Sequence, residues 1–287
     1  MIPSKVWLPK NSCYKTVFSF LKEKFPQIPA QIWEERMQSG KVRTLNDESI
    51  PYNSPYLGDR HIIYFREIKN EITIPFIEKI LFEDENILLI DKPHFLPIHP
   101  AGSFVKETLV HRLRSSKDNS QITPIHRIDR LTAGLILLSK SKDRRKDYQN
   151  LFENRKVKKE YLALSTNKQS KSTSWHIKNR ITTGDPWFTS KIIQGEANSE
   201  SYINIVDKNS EFTKFSLSPI SGKKHQLRLH LASIGYPILN DPLYPCVQKN
   251  LDDNYDKPLQ LLAYKLSFTD PLSGKKREFK SQLKLLF

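Results

Sequence analysis

Glycine is scarce in this 287-residue chain, at 9 residues, and cysteine and methionine each occur only twice. There is no Walker loop and no Gly-x-Gly-x-x-Gly turn, so a phosphate cradle of the nucleotide-cofactor kind is not expected. Cys13 and Cys246 lack metal-ligand spacing, and none of the 8 histidines forms a zinc motif with cysteine or a second histidine. The sequence therefore predicts no cofactor and no metal, and its two lone thiols fit a reducing cytoplasm. No apolar run approaches the roughly 20 residues of a spanning helix. The first ten residues lack the apolar core of a signal peptide. A cytoplasmic protein without a membrane partner is expected. Acidic residues are also in deficit, 31 against 46 basic, for a formal net charge of +15. A surplus of that size points to a polyanion, with nucleic acid ahead of an anionic membrane surface.

Residues 1–75 read as a unit of their own. Val17, Phe18, Leu21 and Phe25 have helical spacing before Pro26, and a second helix is predicted over Ile28–Met37 with Gly40 as its stop. Lys41–Thr44 and Arg60–Phe65 read as short strands. After Pro75, in residues 76–287, Ile80–Phe82 and Ile87–Ile90 flank an acidic turn in hairpin style. Lys92, at the end of the second of these strands, reads as a solvated or phosphate-facing side chain. Thr108–Leu113 reads as a helix. Ser141–Val157 reads as an amphipathic helix, with Tyr148, Leu151 and Phe152 on one face and a basic outer face. Residues 165–200 are rich in Ser, Thr and Lys and show no clear period, so long loops are expected around Trp175-His176-Ile177 and Trp187-Phe188. Exposed aromatics among lysines are candidates for stacking nucleobases. Ser201–Val206 and Glu211–Leu217 read as antiparallel strands. Leu227, Leu231 and Ile234 recur at i, i+4 and i+7, the period of a helix buried on one side, and Gly235 stops it.

Chemistry gathers at residues 125–140. Asp129 stands among His126, Arg127 and Arg130, followed by the small-residue corner Thr132-Ala133-Gly134. The apolar run Leu135–Leu138 then has the length of a strand covered on both faces. An acid on a loop at the mouth of a buried strand has two readings. It is either a structural carboxylate answering nearby arginines, or a nucleophile or base kept ionised by adjacent cations.

This stretch resembles the catalytic signature of the RluA-type pseudouridine synthases: His-Arg-Leu-Asp, two variable residues, Thr-Ser-Gly and an apolar run. Ile128 and Ala133 are the substitutions. Further segments match in order. Lys92-Pro93 and His99-Pro100 resemble the family's first motif, with His94 and Phe95 departing from it. Lys159-Glu160-Tyr161-Leu162-Ala163 resembles its basic-x-Tyr-x-Ala strand. Gly222-Lys223-Lys224-His225-Gln226-Leu227-Arg228-Leu229-His230 resembles its Gly-Arg-Thr-His-Gln-Ile-Arg-x-His segment. Gly235-Tyr236-Pro237-Ile238-Leu239-Asn240-Asp241 resembles its Gly-x-Pro-Ile-x-Gly-Asp turn. Lys223-Lys224 stand for Arg-Thr, and Asn240 for Gly. Leu259–Pro271 resembles its last motif. The N-terminal unit resembles the small α-L RNA-binding domain, although Glu34 and Glu35 occupy a helix that is usually basic there.

The resemblance implies an α+β (mixed α/β) pseudouridine synthase fold, with a largely antiparallel central sheet and a catalytic cleft, plus a small N-terminal α+β domain. It implies an RNA pseudouridine synthase acting on ribosomal or transfer RNA by flipping a uridine out of its stack. Asp129 would be the catalytic carboxylate, Arg228 its buried partner and Tyr161 the contact to the target base. Leu261 holds the apolar position near that base. Arg127, Arg130, His126, Lys223, His225 and Gln226 complete the expected RNA-binding set, and a monomer is expected. Two other readings stay open. One is an RNA-binding or ribosome-assembly protein of the same fold without turnover. The other is a carboxylate-pair hydrolase, with Asp129 and Asp241 as acid and base.

Overall fold

A computed structural model describes residues 3–10, 13–66, 71–166 and 172–286. The chain divides into two compact units, Met1–Glu71 and Ile72–Phe287.

In the first unit β1 (Ser4–Leu8) precedes α1 (Val17–Lys24) and α2 (Ala30–Gln38), and β2 (Val42–Thr44) and β3 (Arg60–Tyr64) follow. The strands form an antiparallel sheet in the order β1-β3-β2. β1 has no counterpart among the elements expected from sequence, because only Val6 and Leu8 of its five residues are buried. Thr16 and Ser19 cap α1 reciprocally through their hydroxyls and backbone N–H groups. Trp33, Leu21 and Met37 close the core against Val42, Ile62 and Tyr64.

The second unit is built on an 11-stranded sheet. Its strands are β4 (Lys79–Glu83), β5 (Ile87–Lys92), β6 (Thr123–Pro124), β7 (Ala133–Ser139), β8 (Lys158–Thr166), β9 (Ser174–Thr183), β10 (Ser190–Ile193), β11 (Ser199–Lys208), β12 (Phe212–Pro219), β13 (Leu261–Thr269) and β14 (Lys276–Lys280). The helices are α3 (Leu109–Ser116), α4 (Lys142–Glu153) and α5 (Gln226–Ser233). The main order is β10-β9-β11-β12-β8-β13-β7-β5-β4, with β14 on β13 and β6 on β7. β7 is buried at all seven positions, as its apolar run predicts. Leu135 and Leu137 pack with Tyr148 and Leu151 of α4. In the other half of the sheet, Leu227 and Leu231 of α5 pack onto Phe215, Leu217 and Ile203.

Residues 174–193 are not the long loops that their composition predicts. They contain β9 and β10, which pair with each other, and β9 pairs with β11. Residues 167–171 of the expected loop region lie outside the described residues. The alternation in β9 is present but masked: Trp175, Ile177 and Ile181 face the protein, while His176, Lys178 and Arg180 face solvent. Cross-strand pairing with β11 decides the outcome that local propensity leaves open.

β7 and β13 form the one parallel pairing among the described strands, with Leu262 opposite Ala133 and Ala263 opposite Gly134. Gly134 sits at φ +106°, and a Cβ there would lie 2.3 Å from the Ala263 carbonyl oxygen. Only glycine permits that approach. This seam joins the sheet half carrying Asp129 to the half carrying Tyr161, Arg228 and Leu261. Among the described residues, no helix is long and apolar enough to cross a membrane.

Candidate active site

Asp129 lies on the loop entering β7, where its carbonyl accepts the N–H of Thr132. Beneath this loop is a fully buried lysine. Lys92, at the end of β5, donates from Nζ to the carbonyls of Pro93, Leu96 and Arg130 at 2.8–3.0 Å. Burial and the charge of Arg130 push Lys92 down to about 7, against the opposing pull of Asp129. The three carbonyls together use all three protons of an ammonium. Lys92 is thus neither solvated nor free to face phosphate; it fixes the backbone of the acidic loop.

Arg228 projects from α5 with only 2% of its surface exposed. Its Nε and Nη2 donate to Asp241 at 2.8 and 2.6 Å, and its Nη1 lies 3.6 Å from Asp129 Oδ2. Burial works against the charged guanidinium, but Asp241 and then Asp129 more than offset it, and the pKa of Arg228 rises. The close partner of Arg228 is therefore Asp241, with Asp129 completing a three-member array. The fork of the guanidinium explains the division: two parallel donors grip one carboxylate, leaving one donor turned toward the second.

Asp241 also accepts the N–H groups of Leu243 and Tyr244, and its side chain is wholly inaccessible. An acid enclosed in this way cannot reach a substrate, which removes the carboxylate-pair hydrolase. Asp129 keeps 29% of its side chain exposed. It opens onto two adjoining depressions, one of about 600 Å³ shared with Tyr161, Leu261 and Arg228, the other of about 1160 Å³ toward Lys223, Lys224 and Arg130. Arg127 lines both. Tyr161 sits on β8 beside the smaller depression. Burial, and secondarily the charge of Asp129, raises its pKa, so the phenol stays protonated at neutral pH.

Several expected RNA contacts have their polar atoms engaged inside the protein. His126 Nε2 accepts the Leu137 N–H at 3.1 Å, and its ring stacks on Phe152. Gln226 accepts from Ser221 Oγ and the Lys223 N–H, and donates to the Glu200 carbonyl and Ser201 Oγ. His225 Nδ1 is 2.8 Å from the Tyr244 hydroxyl. Arg130 makes two hydrogen bonds to Asp253, at 2.5 and 2.8 Å, which anchor the 250–254 wall of the larger depression. Lys223 and Arg127 are exposed on the rim.

Burial dominates the imidazoles. It pushes His126 down to about 3, and His94, His225 and His230 down to about 4. An unfolded histidine titrates near 6.5. Between those values the unfolded chain binds more protons than the folded one. The stability these residues contribute is therefore complete above about pH 6.5 and is lost as pH falls toward 4. Each contributes a slope of up to about 1.4 kcal/mol per pH unit. The urea midpoint of unfolding at pH 5 should fall well below that at pH 7, and equal midpoints would contradict the neutral, buried state.

The mostly antiparallel sheet of the second unit, with its flanking helices, is the fold of solved pseudouridylate synthases. The solved structure named Human RNA Pseudouridylate Synthase Domain Containing 1 superposes with a TM-score of 0.59 at 21% identity, covering 71% of this chain and 82% of that one. Human RNA Pseudouridylate Synthase Domain Containing 4 gives 0.54 at 25% identity, covering 72% and 88%. The profile of the RNA pseudouridylate synthase family matches residues 86–233, and this chain belongs to that family of isomerases, in its RluA-type branch. An uncharacterized RNA pseudouridine synthase of Synechocystis is 26% identical over 79% of each chain. Ribosomal large subunit pseudouridine synthase C of Buchnera aphidicola from Acyrthosiphon pisum is 27% identical over 99% of this chain and 95% of its own. The mitochondrial tRNA pseudouridine(32) synthase of Saccharomyces cerevisiae is 27% identical over 80% of this chain, which spans 50% of that protein.

Proposed function

We propose that this chain isomerises uridine in ribosomal large-subunit or transfer RNA, with Asp129 as its catalytic carboxylate. One observation carries the reading: Asp129, Tyr161, Leu261 and Arg228 converge on a single depression large enough for a flipped base. The reaction breaks the N1–C1′ bond, turns the uracil and joins C5 to C1′. The C5 proton leaves and N1 gains one. Nothing is oxidised or reduced. Asp129 presents its carboxylate to the target nucleotide, and Arg228 positions it from beneath. Tyr161, as a protonated phenol, and Leu261 offer a flat apolar surface for the ring. Arg127, Lys223 and Lys224 on the rim meet phosphates.

The names of the Buchnera and yeast relatives support the two RNA classes. A protein that only bound RNA would have no use for an accessible carboxylate poised over a buried guanidinium. The N-terminal unit is read as a separate domain. Glu34 and Glu35 on α2 are a poor match for phosphate, so RNA capture is assigned to residues 76–287. Exposed free thiols at Cys13 and Cys246 accord with a reducing cytoplasm. The test is tritium release from RNA labelled at C5 of uridine, run on separate rRNA and tRNA fractions with Asp129→Asn as control. Release from one fraction, absent with the variant, is the expected result. No release from either fraction would overturn the assignment.

A further inference from the structure

Trp187 is 77% exposed, an unusual state for the largest side chain. A lone exposed apolar residue on a mobile tip would need no explanation. Trp187 instead sits on a turn whose backbone is tied in place by hydrogen bonds. It lies in the turn between β9 and β10, where Thr189 donates both its N–H and its hydroxyl to the Pro186 carbonyl, and the Gly184 N–H donates to the Thr189 carbonyl. The turn packs so closely that a Cβ on Gly184 would lie 2.2 Å from Thr189 Oγ1. Just beyond the turn, the Ser190 N–H donates to the Tyr244 hydroxyl at 2.7 Å. The Tyr244 ring in turn lies 5.2 Å from the Arg228 guanidinium. The turn is thus tied to the arginine of the active site through one side chain.

Its surroundings indicate what it meets. Phe188 touches the indole edge to face and lines the larger depression together with Asp129. Lys224 Nζ lies 6.0 Å from the indole centroid and 3.4 Å from the Trp187 carbonyl. An exposed aromatic plane with an ammonium beside it, adjoining the cleft-lining Phe188 and Lys224, combines what an unpaired nucleotide needs: a stacking surface for the base and a charge for its phosphate. The exposed aromatics elsewhere on this sheet are arranged differently. His176 and Tyr202 stack on each other at 4.1 Å, so each already covers a face of the other.

We propose that Trp187 and Lys224 form an accessory site that stacks an unpaired nucleobase flanking the target uridine, and so help to select the RNA. This site rests on the reading of the chain as an RNA-modifying enzyme. It sets where the strand leaves the cleft, and Trp187 acts as a positioning residue that does not touch the reacting atoms.

The test uses the full chain, with Trp187→Ala and Trp187→Phe. Both should melt within about 1 °C of wild type, because the side chain is exposed and surface changes of this kind cost little. In the tritium-release assay on the RNA fraction that wild type modifies, Trp187→Ala should raise KM about tenfold while kcat changes less than about threefold, in line with the usual strength of base stacking. Trp187→Phe should recover most of that loss. Identical KM values for wild type and Trp187→Ala would overturn the site while leaving the isomerase intact. If wild type releases no tritium, the same site is tested with an oligoadenylate decamer. Decamer titration should quench wild-type tryptophan fluorescence, Trp187→Phe should bind without that quench, and Trp187→Ala should bind about tenfold more weakly. Equal quenching and affinity in all three proteins would overturn the proposal.

Discussion

Asp129→Asn should retain less than about one thousandth of wild-type turnover, the scale on which enzymes lose activity when a group in direct contact with the reacting atoms is removed. The variant should nevertheless fold and bind RNA as wild type does. Asparagine matches the carboxylate in size and forfeits only a 3.6 Å ion pair on a side chain that is partly open to water. Affinity for RNA comes chiefly from phosphate contacts, which we propose are made here by Arg127, Lys223 and Lys224, and the substitution leaves those side chains in place. Turnover by tritium release and affinity by filter binding should therefore separate. A parallel loss of both would mean that Asp129 organises the cleft rather than performs the chemistry.

Asp241→Ala should act in the opposite sense, on stability first. Removing one member of a buried pair leaves the other charge uncompensated, at a typical cost of about 3–5 kcal/mol. Arg228, 2% exposed, would keep only the distant Asp129, and the N–H groups of Leu243 and Tyr244 would lose their acceptor. For a unit of this size the melting temperature should fall by about 10 °C. Differential scanning calorimetry beside Asp129→Asn gives the contrast: a large drop for Asp241→Ala and little change for Asp129→Asn. Equal melting temperatures for Asp241→Ala and wild type would contradict the buried array. Arg228→Lys should be damaging to turnover for a related reason. An ammonium is a point charge and cannot grip Asp241 with two parallel donors while turning a third toward Asp129.

The contrast between these two acids also shows what could be read from the chain. Asp129, Tyr161, Arg228 and Leu261 could be named as candidates because each lies in a local segment that resembles a family motif, and they line one depression. The role of Asp241 was not, since its contact to Arg228 crosses the turn after α5 and depends on which way one guanidinium points. The Arg130–Asp253 pair joins residues far apart in sequence, and no pattern within either segment marks it. Lys92 reads as a solvated head at a strand end, and burial alone reveals it as a clamp. For the fold, β7 and α5 were readable from long apolar periods. β9 was hidden because its outward positions are Lys, His and Arg and one inward position is Asn179, so the period of two carries little apolar weight.

The two-residue seam between β7 and β13 has a kinetic consequence. It brings together segments about 130 residues apart in the chain, and the cleft straddles it. Long-range closures of this kind are entropically slow and come after local helices and hairpins. A refolding molecule can regain most of its helix and hairpin signal while Asp129 and Arg228 are still apart. Recovered activity is therefore expected to lag recovered ellipticity on refolding, and coincident recovery of the two would contradict this order.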